Sequence, residues 1–340
     1  MESATPSSSL NHAGSDFRIS QSKVLRTTVV FDTYWRFAFE RQQIFFKRVC
    51  GLQPPWTGDP ILRSYRFTNV YRASDRVSQY LIRRVIYEGD QSEEEVYFRT
   101  LLFKLFNRIE TWELLQGSVG PITWKTFNLD LYDRILDEAL RNGQKLYSAA
   151  YIMPCPPFNA TRKHKNHLAL LARMMHDRIP LKVASSRSLR EVFLLLRSYP
   201  SVGDFLAFQF AIDLNYSRLT SFSEMEFVVA GPGARSGVRK AFSDTGGLKE
   251  EDVIQAVTEF ASREFEQRGL AFRPLWGRPL QLIDCQNLFC EVDKYSRVAH
   301  PDINCSSRTR IKQRFVPEAK PTPQWYPPKW GLQPESLSHV

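Results

Sequence analysis

The architecture of this chain is set by Ser198-Tyr199-Pro200-Ser201-Val202-Gly203-Asp204-Phe205-Leu206-Ala207, which follows the apolar run Val192-Phe193-Leu194-Leu195-Leu196. The apolar run predicts one amphipathic helix, the Pro and Gly residues predict a tight hairpin, and small Ala207 predicts a second, closely packed helix. A glycine at the start of the second helix leaves backbone N–H groups exposed, and the helix dipole favours an anion there. Such a contact fixes a protein on a phosphate backbone without reading the sequence. The alternative interpretation is an ordinary helical corner.

This layout resembles the helix-hairpin-helix element with which DNA glycosylases hold the DNA backbone. Pro200, Val202, Gly203 and Ala207 match that element, whereas Ser201 replaces its usual first glycine. Two further helix starts, in the runs 163–167 and 231–235, combine basic residues or glycines in a way that suits an anion. The residues that we expect to contact the DNA backbone are Val202, Gly203, Lys163, Lys165 and Gly233.

Length, charge and cysteine content restrict the class of protein. A chain of 340 residues can bury a large core, either as one big domain or as two lobes. The net charge of +10 favours a polyanionic partner, and the 13% aromatic content suits base stacking beside arginine–phosphate pairs. No apolar run is long enough for a membrane span, and the Ser-rich N-terminus lacks the apolar core of a secretory signal. The five scattered cysteines predict a reducing, intracellular compartment.

Helical periodicity dominates the chain, so we predict an all-α fold with two helical lobes of the DNA-glycosylase type. Residues 1–25 are predicted to be a disordered tail, residues 26–153 an N-terminal lobe and residues 154–310 a C-terminal lobe that contains the hairpin. Residues 311–340, which are rich in Pro and aromatic side chains, are predicted to form an extended arm. The one short strand candidate is Glu226 to Ala230.

Several catalytic signatures are absent from the sequence. It has no Gly-x-x-x-x-Gly-Lys-Ser/Thr run, which excludes a P-loop kinase within this polypeptide, and it has no His-Glu-x-x-His. Cys285 and Cys290 lack a second Cys/His pair at zinc-like spacing, and the lysines around His164 and His167 repel a cation. We therefore predict no metal and no cofactor.

Four segments carry polar residues embedded among apolar ones, namely residues 67–80, 210–217, 224–235 and 280–295. On a helix, Asp284, Asn287 and Glu291 share one face, and Lys294 lies three residues further on. A buried polar face is costly unless its groups are satisfied, so such a face either lines a site or ties helices together in a structural network. Buried acids of this kind are also where general bases arise.

The same segments resemble a known family, the helical domain of the 5-hydroxymethyluracil DNA kinases. That domain also stands alone in the proposed α-glutamyl/putrescinyl thymine pyrophosphorylases, also called amino-acid:DNA transferases. The resemblance covers roughly residues 31–297 and includes F-T-N-V-Y-R (67–72) and F-V-V-A-G-P-G-A-R (227–235). It implies a helical fold related to DNA glycosylases and action in the hypermodification of thymine-derived bases, on double-stranded DNA. A separate kinase or oxygenase would then supply the modified base.

Three functions are compatible with these observations. The first is a transferase that displaces pyrophosphate from an activated base with an amine, after the base has flipped out of the stack. The second is a monofunctional glycosylase, in which Glu226 lies about as far beyond the hairpin as the activating carboxylate of such enzymes. The third is a non-catalytic reader of modified DNA. Acids embedded in a DNA-binding cleft favour the enzymes, because carboxylates repel phosphate.

The candidate site residues follow from these segments. The acids that we expect to act in catalysis are Asp284, Asp213, Glu226 and Glu291. The residues that we expect to bind substrate are Arg72, Asp75, Arg76, Asn215, Tyr216, Gln286, Asn287, Lys294 and Arg235. Structural alternatives exist for several of them. Arg72, Asp75 and Arg76 could form a salt-bridge set at a helix entry, and Asp213 could hold the hairpin helix against a neighbour.

Overall fold

The structure is a computed structural model that describes residues 15–150, 152–303, 309–317 and 323–334. Within these residues most of the chain is helical, which confirms the predicted fold class. Residues 1–14 of the predicted disordered tail lie outside the described residues. No helix in the described ranges is long and apolar enough to cross a membrane.

The helices and strands follow one another along the chain with short connections. The α-helices of the described residues are α1 (Val29–Val49), α2 (Pro60–Ser64), α3 (Arg76–Tyr80), α4 (Glu93–Phe106), α5 (Ile109–Val119), α6 (Leu129–Arg141), α7 (Lys163–His176), α8 (Ile179–Ala184), α9 (Leu189–Arg197), α10 (Asp204–Asn215), α11 (Pro232–Ala241), α12 (Glu250–Glu259), α13 (Ala261–Gln267) and α14 (Leu282–Ala299). The strands are β1 (Asp16–Arg18), β2 (Val24–Thr27) and β3 (Phe242–Asp244). Short 3₁₀ turns cover Arg72–Ser74 and Pro328–Trp330, and a π-helical turn covers Leu81–Ile86.

A small antiparallel sheet, in the order β1-β2-β3, corrects two of the sequence predictions. Residues 16–25 of the predicted disordered tail are ordered and form strands together with Arg26 and Thr27, in the register Phe17 with Leu25, and Arg26 pairs in turn with Asp244. They are ordered because the Phe17 ring is buried, with its centroid 5.1 Å from that of Phe31. The predicted strand at 226–230 is wrong, because that segment is an irregular connection without strand pairing.

The chain divides into two compact units that are interleaved in sequence. Unit 1 consists of Met1–Val70, Ala230–Arg273 and Asp284–Ala319, and unit 2 of Tyr71–Val229, Pro274–Ile283 and Lys320–Val340, each as far as it is described. This division differs from the sequential lobes 26–153 and 154–310 that the sequence suggested. The physical reason is that residues 26–70 pack with the segment 230–273, far away in sequence, and that residues 323–334 of the C-terminal arm belong to unit 2.

Unit 1 is built around α1, whose N-cap Thr28 accepts a hydrogen bond from the backbone N–H of Val30. Its aromatic residues Tyr34 and Trp35 are fully buried, and the Trp35 ring meets Phe265 edge to face at 4.9 Å. Helix α11 packs very closely on α14, because a Cβ atom at Gly237 would lie 2.1 Å from the carbonyl oxygen of Phe289. This glycine is therefore a packing requirement of unit 1.

In unit 2, two long helical stretches are each interrupted once. Helix α4 ends before Asn107, which adopts a left-handed conformation with φ of 49°. The side chain of Asn107 accepts a hydrogen bond of 2.8 Å from Lys104 Nζ, so the break is tied to a buried charge. Helix α7 ends at His176, and α8 begins at Ile179.

The two helices predicted around the Pro/Gly hairpin are present as α9 and α10, and they pack against each other. Helix α9 begins after Ser188, whose hydroxyl accepts from the backbone N–H of Glu191. In the connection Ser201 has φ of 64°, the left-handed region in which glycine is favoured. Gly203 is the N-cap of α10, with φ of −74° and no atom within 4 Å of a Cβ built on it. The backbone there is consequently open to a ligand.

Gly237→Ala should destabilise unit 1, because a methyl group has no space beside Phe289. We expect a loss of about 1–3 kcal/mol, the usual cost of overpacking a core. The matched control is Gly117→Ala in α5, where an added Cβ meets nothing within 4 Å and should stabilise by about 0.4–1 kcal/mol. Thermal and urea unfolding of both variants measure the difference, and equal stability of the two would contradict the close α11–α14 contact.

Candidate functional site

A fully buried ion cluster lies at the centre of unit 2. Asp213, on α10, has no exposed side-chain surface and pairs with Arg72 Nη1 at 2.8 Å and with Lys104 Nζ at 3.1 Å. Arg72 also donates to Gln209 Oε1 and to the Tyr216 hydroxyl, both at 3.1 Å. The structure thus brings three sequence-predicted residues, Arg72, Asp213 and Tyr216, into one network.

This cluster favours the structural alternative for Asp213 over a role in catalysis. Both cations that face it are about 95% buried, so the carboxylate has no path to a ligand. A buried carboxylate that pairs with two cations holds both of them in place. The loss of one partner leaves a buried charge without compensation. The sequence does not mark Lys104 as a member of a buried cluster. It follows an apolar helical stripe, so its position in α4 predicts a solvated side chain.

Beside this cluster, unit 2 has a cavity of about 260 Å³. The residues that line it are Asn215, Ser221, Phe222, Ser223, Glu224, Arg278, Gln281, Lys329 and Trp330. They come from three separate segments of the chain, namely the end of α10 with the connection that follows it, the stretch before α14 and the C-terminal arm. The lining combines one acid, two cations, amides and hydroxyls, which is the composition of a polar binding site.

Glu224 is the acid of this cavity and is only 4% exposed. Its Oε1 accepts a hydrogen bond of 2.9 Å from Arg278 Nη2, while its Oε2 has no hydrogen-bond partner among the described residues. Burial raises the pKa of Glu224 above its ordinary value, and Arg278, Lys329 and Arg72 oppose that shift. A buried carboxyl group with a raised pKa and a spare acceptor oxygen is suited to take a proton from a ligand.

Arg278 is held in place by a strained turn. Trp276 and Gly277 both have positive φ, 46° and 90°, between the bridged residues Leu275 and Arg278. The Tyr71 hydroxyl donates to the backbone oxygen of Arg278 at 2.7 Å. A left-handed tryptophan is costly and persists only where the surroundings enforce it, so the turn fixes the guanidinium at the cavity wall.

Lys329 reaches the same cavity from the C-terminal arm. Its Nζ donates to three backbone oxygens, those of Asn215 at 2.5 Å, Ser217 at 2.9 Å and Thr220 at 2.5 Å. Burial lowers the pKa of Lys329 to about 8, with Arg278 acting in the same direction and Glu224 against it. The Asn215 side chain supports the loop that Lys329 clamps, because its Oδ1 accepts from Thr220 and from the backbone of Phe222.

The predicted DNA-backbone residues are in different situations. Gly203 is exposed, whereas the Val202 side chain is buried. Lys163 is exposed and lies over the Tyr147 ring at 4.5 Å, but Lys165 is paired with Asp130 and Asp133. His164 and His167 beside them are buried. The charge of Lys165 is therefore largely offset by its two carboxylate partners.

Gly233, in unit 1, has a packing role. A Cβ on this residue would lie 3.0 Å from Cys290 Sγ, so the glycine allows α11 to approach α14. Arg235, two residues later, donates to the backbone oxygen of Ala230 and pairs with Glu251 at 3.1 Å. These contacts explain the Gly-rich start of α11 as helix packing and capping.

The predicted polar face of α14 forms a network within unit 1. Asn287 Nδ2 donates to Thr68 Oγ1 at 2.9 Å and to the backbone oxygen of Asn69, and Glu291 Oε2 accepts from the Thr68 backbone N–H at 2.8 Å. Lys294 pairs with the same Glu291 oxygen at 2.7 Å. The structural alternative accounts for this face, since its polar groups satisfy the backbone of 68–69.

The remaining sequence-predicted residues have local contacts within their own units. Glu226 is exposed and accepts from the backbone N–H groups of Leu189 and Arg190, so it caps the start of α9. Asp284 is 4% exposed and belongs to unit 1, where Gln286 donates to Cys290 Sγ at 3.3 Å. Asp75 is the N-cap of α3. Arg76 is half-exposed, 4.0 Å from Glu110.

Sequence reasoning missed the acid and both cations of the cavity. Glu224 stands two residues before Glu226 in one of the four polar segments, but the spacing from the hairpin points to Glu226. Arg278 lies in a short Gly-Arg-Pro connection, and Lys329 lies in the arm that the sequence predicts to be extended. The signal that could have found them is the dense W-Y-P-P-K-W run at 325–330, which places a lysine between aromatic anchors.

Asp213→Asn should strongly destabilise unit 2, because it leaves Arg72 and Lys104 buried without their counter-charge. We expect a loss of about 3–5 kcal/mol. The control is Asp16→Asn, which removes one member of an exposed pair with Arg26 and should cost about 0–1 kcal/mol. Urea unfolding of both variants at neutral pH compares them. A loss under 1 kcal/mol for Asp213→Asn would contradict the buried cluster.

Comparison with known proteins supplies the family. Residues 28–305 match the family model described as "5-hmdU DNA kinase, helical domain". A curated relative, the 5-hmdU DNA kinase of Bacillus phage SP10, is 29% identical over 286 residues, which cover 78% of this chain and 45% of the relative. The chain thus spans about half the length of that relative. No solved structure matches the chain. Because the family model covers most of the sequence, the chain belongs to the family of the 5-hmdU DNA kinase helical domain.

Proposed function

We propose that this chain is an enzyme that acts on DNA carrying a 5-hydroxymethyluracil-type base. The observation that carries the proposal is Glu224, a buried acid with one oxygen engaged by Arg278 and one oxygen without a partner among the described residues, at the wall of a polar cavity. Membership of a family whose named member is a 5-hmdU DNA kinase supports the choice of substrate.

The cavity of unit 2 is proposed to receive the substituent at the 5-position of a flipped base. A protein reaches that position for chemistry only after the base has left the stack. A cavity of about 260 Å³ is small, so it suits one base or its substituent better than a longer ligand. The polar lining of the cavity favours a polar substituent over the methyl group of unmodified thymine, because a methyl group makes no hydrogen bond to that lining.

The reaction that we favour is a transfer to the base. The nitrogen of an amine attacks the 5-methylene carbon of a base that carries pyrophosphate there, and the C–O bond to pyrophosphate breaks. The electron pair of that bond leaves with pyrophosphate, and the extra proton of the amine passes to Glu224. Arg278 stabilises the departing negative charge. A separate activity supplies the pyrophosphorylated base.

A glycosylase is the second candidate, and one observation favours it. Glu224 lies some twenty residues beyond Gly203, about the separation at which related glycosylases carry their activating carboxylate. In that case Glu224 takes a proton from water, the oxygen of which bonds to C1′ of the sugar while the base departs. The sequence spacing also fits Glu226 for this role, but Glu226 is less suited to it because both of its carboxylate oxygens cap α9.

Contact with the DNA backbone is proposed for the hairpin before α10. Gly203 is exposed and its surroundings are open, which allows a phosphate to approach the N–H groups of the first turn. Asp204 in that turn is paired with Arg197, and this pairing reduces its repulsion of phosphate. The net charge of +10 adds long-range attraction.

Glu224→Gln should abolish turnover and keep DNA binding, because the amide preserves the shape of the side chain but cannot accept the proton. We expect a fall in rate of about 10²–10⁴-fold. Glu226→Gln is the matched control and should stay within about threefold of the wild type, since it alters only a helix cap. Rates are measured by mass spectrometry of nucleosides from DNA with thymine, 5-hydroxymethyluracil or its pyrophosphorylated form, with and without amines.

The same assay separates the candidate functions. An adduct that needs the amine identifies a transferase, a lost base identifies a glycosylase, and selective binding without change indicates a reader. The pH profile adds a check, because a base with a raised pKa loses its active carboxylate form at a higher pH than an ordinary carboxyl group. Equal activity on unmodified thymine DNA, or full activity of Glu224→Gln, would overturn the proposal.

Gly203→Val should weaken DNA binding several-fold, because the added side chain blocks the approach of a phosphate to the start of α10. The fold should be retained, since nothing lies within 4 Å of the new Cβ. Gly58→Val, at another open glycine, is the control and should bind like the wild type. Filter-binding titrations at several salt concentrations provide the measurement, and wild-type affinity should fall steeply with salt. Unchanged affinity of Gly203→Val would contradict the hairpin contact.

A further inference from the structure

Residues 323–334 of the C-terminal arm contribute to the wall of the cavity, although they lie outside the family match. The family model ends at residue 305. Lys329 and Trp330 nevertheless line the cavity together with Glu224 and Arg278. We call residues 323–334 the C-terminal strap.

The strap is anchored in unit 2 by the two residues that precede its proline pair. The backbone N–H of Trp325 donates to Gln79 Oε1 at 2.8 Å, and the hydroxyls of Tyr326 and Ser74 share a hydrogen bond of 2.7 Å. The Trp325 ring also meets Tyr87 edge to face at 4.8 Å. These polar and aromatic contacts fix the position of the strap on unit 2.

Trp330 contacts Arg278, one of the two cations of the cavity. The Arg278 guanidinium lies 3.8 Å from the centroid of the Trp330 ring, a cation–π contact, and the edge of Trp330 meets Tyr216 at 5.5 Å. The same guanidinium donates to Glu224. The ring therefore restricts Arg278 to the orientation in which it leaves one oxygen of Glu224 available.

Lys329 supports a second wall of the cavity, which begins with the backbone of residues 215–220. Its three hydrogen bonds close the backbone of 215–220 around one ammonium group at the C-terminal end of α10, where the helix dipole favours a cation. An ammonium group has three donors, and all three are engaged. Lys329 consequently has no donor to offer a ligand, and its role is to place the loop that precedes Glu224.

We propose that the C-terminal strap completes the catalytic cavity and that Lys329 and Trp330 are positioning residues, which act through the 215–220 loop and through Arg278. The inference rests on the proposed function for the identity of the reaction. Its structural half, that the strap fixes both walls of the cavity, stands on the contacts within unit 2.

The first experiment measures the walls without any substrate. Hydrogen–deuterium exchange of the full chain is compared among wild type, Lys329→Met and Trp330→Ala. Lys329→Met should accelerate exchange about tenfold or more at residues 216–223, and Trp330→Ala at residues 275–281, with α1 and α11 unchanged. Lys312→Met, at an exposed lysine of unit 1, is the matched control and should change neither segment. Unchanged exchange in both strap variants would overturn the inference.

The second experiment measures turnover on the substrate that the wild type accepts. Trp330→Ala should lower kcat about 10- to 100-fold with a much smaller effect on KM, because a misplaced Arg278 impairs the reacting geometry. Trp330→Phe keeps an aromatic face and should restore most of the rate, which a simple loss of folding would not allow. Wild-type kcat in Trp330→Ala would overturn the positioning role. Absence of turnover by the wild type on every DNA would instead contradict the proposed function, and the exchange data then decide on the strap alone.

Discussion

The charge of Asp213 is the constraint on which unit 2 depends. A carboxylate with no exposed surface requires compensation, and here Arg72 and Lys104 supply it from two other segments of the chain. The network extends through Arg72 to Gln209 and Tyr216. These contacts hold segments that are distant in sequence in one arrangement, because separating them would leave a buried charge without its partner. The cavity walls are attached to this framework at Tyr216 and Asn215.

Two buried acids of unit 2, Asp213 and Glu224, differ in the number of cations that neutralise them, and this difference separates a structural carboxylate from one suited to chemistry. Asp213 faces two cations, whereas Glu224 is bonded to Arg278 through one oxygen only. Helix α10 contributes to both environments, since it carries Asp213 in its interior and ends in the carbonyl groups that bind Lys329. Its dipole adds negative potential at that end, which matches the cation. The helix that follows the hairpin therefore organises both the buried cluster and the cavity.

Sequence reasoning predicted the elements better than their assembly. The helical fold, the helices α9 and α10 and the polar face of α14 are confirmed, because each rests on local periodicity and on caps such as Ser188. The break at Asn107 and the pairing of residues 16–27 depend on contacts with distant residues, which no local pattern records. The same holds for the cavity. Glu224, Arg278 and Lys329 come together only through tertiary structure, and each looks like a solvated charge in its own segment.

The interleaving of the two units has a consequence for synthesis on the ribosome. Most of unit 2, from Tyr71 to Val229, is translated before the segments that unit 1 needs, Ala230–Arg273 and Asp284 onward. Helix α1 must therefore wait, with Tyr34 and Trp35 unprotected, until about two hundred further residues have emerged. Closing so long a loop adds little entropy cost per extra residue, but an exposed aromatic surface invites aggregation during the delay. Chaperone demand in the cell should accordingly fall on the N-terminal segment.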